Sequence, residues 1–147
     1  DLNLAFVSGI HAPIKYTLHE KNTENGITEY TSSEPTNDPQ WGLLSAINLS
    51  TGKIKWQYKT PQPLVGGTLS TKGGLVFLGE GNGNFNAIDA ASGVLLWQTY
   101  IDAGVNAPPI TYLIDGEQYI AVVAGGNKIM GFSQGDYISV YKLPKAE

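Results

Sequence analysis

The eleven residues from Ala46 to Trp56 (Ala-Ile-Asn-Leu-Ser-Thr-Gly-Lys-Ile-Lys-Trp) constrain the chain more than any other stretch, because they occur twice. They return from Ala87 to Trp97 as Ala-Ile-Asp-Ala-Ala-Ser-Gly-Val-Leu-Leu-Trp, an offset of 87 − 46 = 41 residues. Ala, Asn or Asp, Ser/Thr-Gly and Trp keep their spacing in both copies. Two unrelated hairpins do not account for that match. Self-similarity with a period of about 40 to 50 residues marks propellers and solenoids, whose units bury their faces only against neighbouring units.

Each copy has a readable internal logic. A short apolar strand ends in Asn48 or Asp89, Ser/Thr-Gly makes a tight turn, and a second strand ends in Trp56 or Trp97. Gly52 and Gly93 suit a turn that requires positive φ, and Asn48 and Asp89 can accept hydrogen bonds from amides inside the bend. The two tryptophans then stand at one depth in successive units, where a large flat ring is clamped between neighbouring sheets.

The rest of the chain continues the pattern. Leu2 to Val7 reads as a strand, and His11 to Tyr16 as an extended segment that Pro13 keeps out of helix. Residues 19–40 are polar and read as a long, mobile surface excursion. Further strands are expected at Trp41 to Asn48, Lys53 to Lys59, Leu75 to Gly79, Phe85 to Asp89 and Val94 to Tyr100. Pro109 to Tyr112, a hairpin at Asp115-Gly116, Tyr119 to Ala124 and Asp136 to Tyr141 repeat the opening of that unit, with an insertion at 127–134. The chain therefore divides into a partial unit at 1–60, a complete four-stranded unit at 61–101 and an incomplete unit at 102–147. These are too few to close a ring, which takes roughly four to eight blades. The expected state is the C-terminal part of a larger all-β propeller, with assembly of several copies as the alternative.

Composition narrows the function classes. All nine basic residues are lysines and the formal net charge is −4, which disfavours nucleic acid as a partner. Without arginine the chain offers no bidentate guanidinium to a carboxylate or phosphate. Without cysteine it has no thiol nucleophile, thiolate metal ligand or disulfide.

Several local signals are set aside. Gly79-Glu80-Gly81-Asn82-Gly83 precedes a strand rather than a helix, so it lacks the helix N-terminus that holds a phosphate. His11 and His19 have no third ligand at metal spacing. Asn48-Leu49-Ser50 fits a glycosylation acceptor, but Asn48 is the turn former of the repeat. Glu80 and Asp136 read as isolated carboxylates, and no acid/base pair is formed.

The repeat, Ala-x-Asn/Asp-x-x-Ser/Thr-Gly-x-x-x-Trp, resembles the tryptophan-docking motif of quinoprotein dehydrogenases, eight-bladed propellers that bind pyrroloquinoline quinone (PQQ) and calcium. Its flanks are similar too: Gly66 to Gly79, Pro108 to Tyr112, Asp115 to Tyr119 and Ala124 to Gly126. They resemble the last two and a half blades of the alcohol and membrane glucose dehydrogenase branch. The resemblance implies oxidation of an alcohol or sugar hydroxyl by hydride transfer to the quinone, with a cytochrome or quinone as electron acceptor. It also implies a periplasmic protein, possible membrane association through other segments, and remaining blades that complete the ring.

The same resemblance places the catalytic Asp and the calcium ligands in earlier blades, with no catalytic or metal residue in this chain. It implies that the chain contributes the wall of the cofactor funnel, through His11, Val65, Gly66, Gly126 and Asn127, with Asn106 as a candidate by repeat position. His11 stands where relatives carry Asn, and Val65 where methanol dehydrogenase carries Trp. A non-enzymatic propeller scaffold, of the lipoprotein type that assembles outer-membrane proteins, is the alternative function.

Overall fold

The computed structural model describes residues 2–143, which form twelve strands and no helix. Three antiparallel sheets pack face to face in chain order. The first is built from β1 (Leu4–His11), β4 (Trp41–Asn48) and β5 (Ile54–Thr60), in the order β1-β4-β5. The second has β6 (Thr68–Ser70), β7 (Leu75–Gly79), β8 (Asn84–Asp89) and β9 (Leu95–Tyr100) side by side. The third contains β10 (Ile110–Ile114), β11 (Glu117–Ala124) and β12 (Tyr137–Lys142).

The middle sheet shows why an unbroken apolar run makes a strand here. Side chains alternate across a sheet, so a strand covered on both faces is apolar at every position. In Leu75-Val76-Phe77-Leu78 the even residues join Leu44, Leu64 and Ile88 against the first sheet, while Phe77 joins Phe85, Ile120 and Val122 against the third. A second regularity fixes the two ends of the sheets. The turns at 49–53, 71–74, 90–94 and 115–116 lie at one end; the short turn at 80–83 and the longer connections at 61–67, 101–109 and 125–136 lie at the other.

Residues 19–40 differ from the excursion expected. Most of them belong to a two-stranded ribbon, β2 (Ile14–Thr23) paired with β3 (Gly26–Pro35) in full register, which projects from the long-connection end of the first sheet. The ribbon reads as polar because it contributes nothing to the core. Its order comes from cross-strand pairs rather than burial.

The first copy of the repeat behaves as its chemistry dictates. Asn48 Oδ1 accepts the backbone N–H groups of Ser50 and Thr51, both at 3.0 Å, and Asp89 Oδ1 accepts the Ser92 N–H at 2.7 Å. Trp56 leaves its own sheet and donates from Nε1 to the Ala90 carbonyl, 3.1 Å away, in the turn of the next. Trp97 meets no such turn. It packs against Phe85 and Tyr141 edge to face and stays 41% exposed.

Candidate functional site

Four of the five expected site residues sit on connections at the long-connection end. Val65 and Gly66 precede β6; Gly126 and Asn127 follow β11. The backbone draws this region together. Gly66 is buried, its carbonyl accepts the Ser8 hydroxyl at 3.1 Å, and a Cβ placed on it would stand 3.0 Å from the Asn106 carbonyl oxygen. Gly126 donates its N–H to Gly104 O at 2.9 Å. Its φ of +73°, a conformation that costs most L residues about 1–2 kcal/mol, comes readily to glycine. Gly66, Asn106, Gly104 and Gly126 thus form one continuous row across the second and third sheets.

The other candidates carry different commitments. Val65 is partly exposed beside this row. Asn127 uses its Oδ1 to accept the N–H groups of Ile129 and Met130, both at 3.1 Å, so its side-chain oxygen shapes the turn that follows β11. His11 ends β1 and stacks on Trp41, with ring centroids 4.4 Å apart and planes 16° from parallel. Lys59 Nζ lies 4.4 Å from the centroid of the same indole, within cation–π range. His11 is therefore engaged on the face of the first sheet that turns away from the second.

Asn106 has a distinct state. Both polar atoms of its side chain are buried and without a partner, as is Oε1 of Gln62. A buried polar group left unpaired costs about 1–3 kcal/mol, so the Asn106 amide keeps a donor and an acceptor that no described residue uses.

A polar chain that the sequence does not announce lies between the first two sheets. Glu80, expected to be isolated, is 1% exposed and accepts hydrogen bonds from Asn82 Nδ2 at 3.1 Å and from Asn86 Nδ2. Asn86 Oδ1 in turn accepts Gln98 Nε2 at 2.8 Å. Burial first, and then the charge of Glu80, raise the pKa of the Tyr58 phenol above its usual 10.0. The available signal was Asn86 itself, an amide inside the apolar strand Phe85-Asn86-Ala87-Ile88 whose burial requires a partner. Among the described residues no three acidic or imidazole side chains come together as metal ligands.

The family model for the β-propeller domain of PQQ-dependent glucose, ethanol and alcohol dehydrogenases matches residues 13–120. The chain belongs to this family. It is 46% identical over 119 residues to the quinoprotein ethanol dehydrogenase of Pseudomonas aeruginosa, which covers 73% of this chain and 19% of the relative. It is 35% identical over 130 residues to the quinoprotein glucose dehydrogenase of Escherichia coli, covering 75% and 16%.

Among solved structures, a europium-containing methanol dehydrogenase superposes with a TM-score of 0.67 at 29% identity, covering 84% of this chain and 23% of that one. Quinohemoprotein alcohol dehydrogenase from Comamonas testosteroni shares the fold over 99% of this chain and 26% of its own, with a TM-score of 0.76 at 23% identity. The chain thus spans about a fifth of the length of the curated relatives it matches. Its three sheets are propeller blades.

Proposed function

We infer that the chain forms part of the cofactor funnel of a PQQ-dependent dehydrogenase that oxidises alcohols or sugars, and that its long-connection end is the funnel side. The observation that carries this reading is the row Gly66, Asn106, Gly104 and Gly126, with an unpartnered buried amide within it. The residues fit a flat, polar-edged ligand. Glycines at 66 and 126 let backbone approach it, Val65 supplies an apolar surface that excludes water, and the Asn106 amide carries an uncommitted donor and acceptor. Asn127, whose Oδ1 is committed, can offer only Nδ2, and His11 would reach a ligand only by leaving Trp41.

When bound, the quinone supplies a two-electron acceptor for hydride from the hydroxyl-bearing carbon. The residues of this chain bind and orient; the family resemblance implies that the general base and the calcium ligands belong to blades outside it. Trp56 acts in this reading as the docking residue that fixes one blade on the next. In this reading the protein is periplasmic and passes its electrons to a cytochrome or quinone.

The test is reconstitution of the full-length product with PQQ and calcium, followed by reduction of an artificial electron acceptor with primary alcohols and aldoses. Turnover, with cofactor binding by calorimetry that weakens in Asn106→Ala, is the expected result. Absence of both turnover and binding would instead support a scaffold propeller.

A further inference from the structure

The β2–β3 ribbon is amphipathic, and only one of its faces is satisfied. Directly paired residues of antiparallel strands share a face, so the register assigns every side chain. On one face Lys15 bonds Glu34 at 3.2 Å, His19 stacks on Tyr30 with centroids 5.0 Å apart, and His19 Nε2 meets Ser32 Oγ at 2.7 Å. On the other, Ile14, Tyr16 and Leu18 succeed one another along β2, with Pro35 opposite Ile14 and Thr31 opposite Leu18. That apolar stripe is bare; Tyr16 is 71% exposed. An isolated two-stranded ribbon is marginal in water, and among the described residues the strands of this one have no extensive packing on another sheet.

The same absence of support recurs at its base. His11 and Trp41, where the ribbon joins β1 and β4, lie with Val7 and Leu43 on the outward face of the first blade, because the alternate residues Gly42, Leu44 and Ala46 face the second. About four-fifths of the length of the relatives lies outside these residues.

We propose that the Ile14–Tyr16–Leu18 stripe docks on the adjoining blade of the same polypeptide, the one that covers Trp41 and Val7, so that the ribbon straps two blades together at the funnel rim. The docking is intramolecular, and its recognition is apolar. It rests on the ring reading above, so the experiment separates the two.

Single cysteines are placed in the full-length protein at Tyr16→Cys, at Lys21→Cys on the polar face of the ribbon, and at Ile138→Cys, which is 75% exposed on the outward face of the third blade. Alkylation of each site is followed by peptide mass spectrometry, with unfolded protein as the reference. The expected result is that Tyr16→Cys reacts at least about tenfold more slowly than Lys21→Cys, because a covered site must await local opening, and that dilution does not change the ratio. Leu18→Cys should follow Tyr16→Cys. Equal, rapid alkylation at 16 and 21 overturns the proposal, and protection that disappears on dilution overturns it in favour of a second copy. Rapid alkylation of Ile138→Cys would defeat the ring reading instead, while protection at Tyr16 would still show the ribbon docked on its own chain.

Discussion

Trp56 and Trp97 come from the same eleven-residue repeat, yet one is a fastener and the other is not. Trp56 spans to the next blade, where Ala90 takes its indole N–H and Gly93 lies so close that a Cβ there would stand 2.7 Å from the ring. Trp97 faces a blade whose last described strand is β12 and which presents no following turn among the described residues. It rests instead on Tyr141, with centroids 5.2 Å apart. The repeat therefore encodes half of an interface. The other half is the turn of the neighbour, and the environment of the tryptophan depends on that turn being present.

The largest expected effect breaks the fastener directly. Trp56→Ala should destabilise the chain by about 3 kcal/mol, the low end for removing a packed Trp, whereas Trp97→Ala should cost about 1 kcal/mol, the scale of its aromatic contacts. Urea unfolding of both variants measures the difference. Equal losses would mean that the shared motif, not the neighbour's turn, sets the energy.

Gly93 and Gly52 sharpen the same contrast from the side of the turn. Both have positive φ, +78° and +67°, but a Cβ at Gly52 meets nothing within 4 Å. Gly52→Ala should therefore cost about 1 kcal/mol for conformation alone, and Gly93→Ala about 2 kcal/mol, because the Trp56 ring must also move. In the full-length protein the two costs should converge, since a preceding blade would bring its own ring against Gly52. A persistent gap there would argue against such a neighbour.

The smallest effect separates the two turn formers by pH. Asp89 is held below its ordinary 3.8 chiefly by the Ser92 hydroxyl and then by the Ser92 N–H. A carboxyl whose folded pKa lies below its unfolded value stabilises the fold above the unfolded value, and that contribution is lost as pH falls through the folded one. Asn48 does the same structural work without titrating. Asp89→Asn should consequently make the acid limb of a fluorescence-monitored titration shallower, while Asn48→Asp should steepen it. An unchanged limb in both variants would detach the turn bonds from acid stability.

Much of this architecture is legible in the residues. The repeat, the strand at Leu75 to Gly79 and the turn roles of Asn48 and Asp89 follow from spacing and side-chain chemistry, because core burial imposes a pattern on sequence. The ribbon was not legible for the complementary reason. Ile14, Tyr16 and Leu18 alternate over only five residues before the chain turns polar, and partners such as Lys15 and Glu34 stand nineteen positions apart. Glu80 reads as solitary because Asn86 reaches it across a hairpin rather than along a strand. At the candidate site, Val65, Gly66, Gly126 and Asn127 share one end of the blades, whereas the engagement of His11 with Trp41 comes from the register of β1 on β4, which pairs residues thirty positions apart.

In the reading proposed above these blades are one sector of a larger ring, and a further blade completes the Trp97 interface. Hydroxyl-radical footprinting, read tryptophan by tryptophan, tests it most directly. In the 147-residue chain Trp97 should oxidise several times faster than Trp56, in line with its 41% exposure. In the full-length protein Trp97 should fall to the rate of Trp56. Trp97 remaining as reactive in the full-length protein as in the isolated chain would contradict the account.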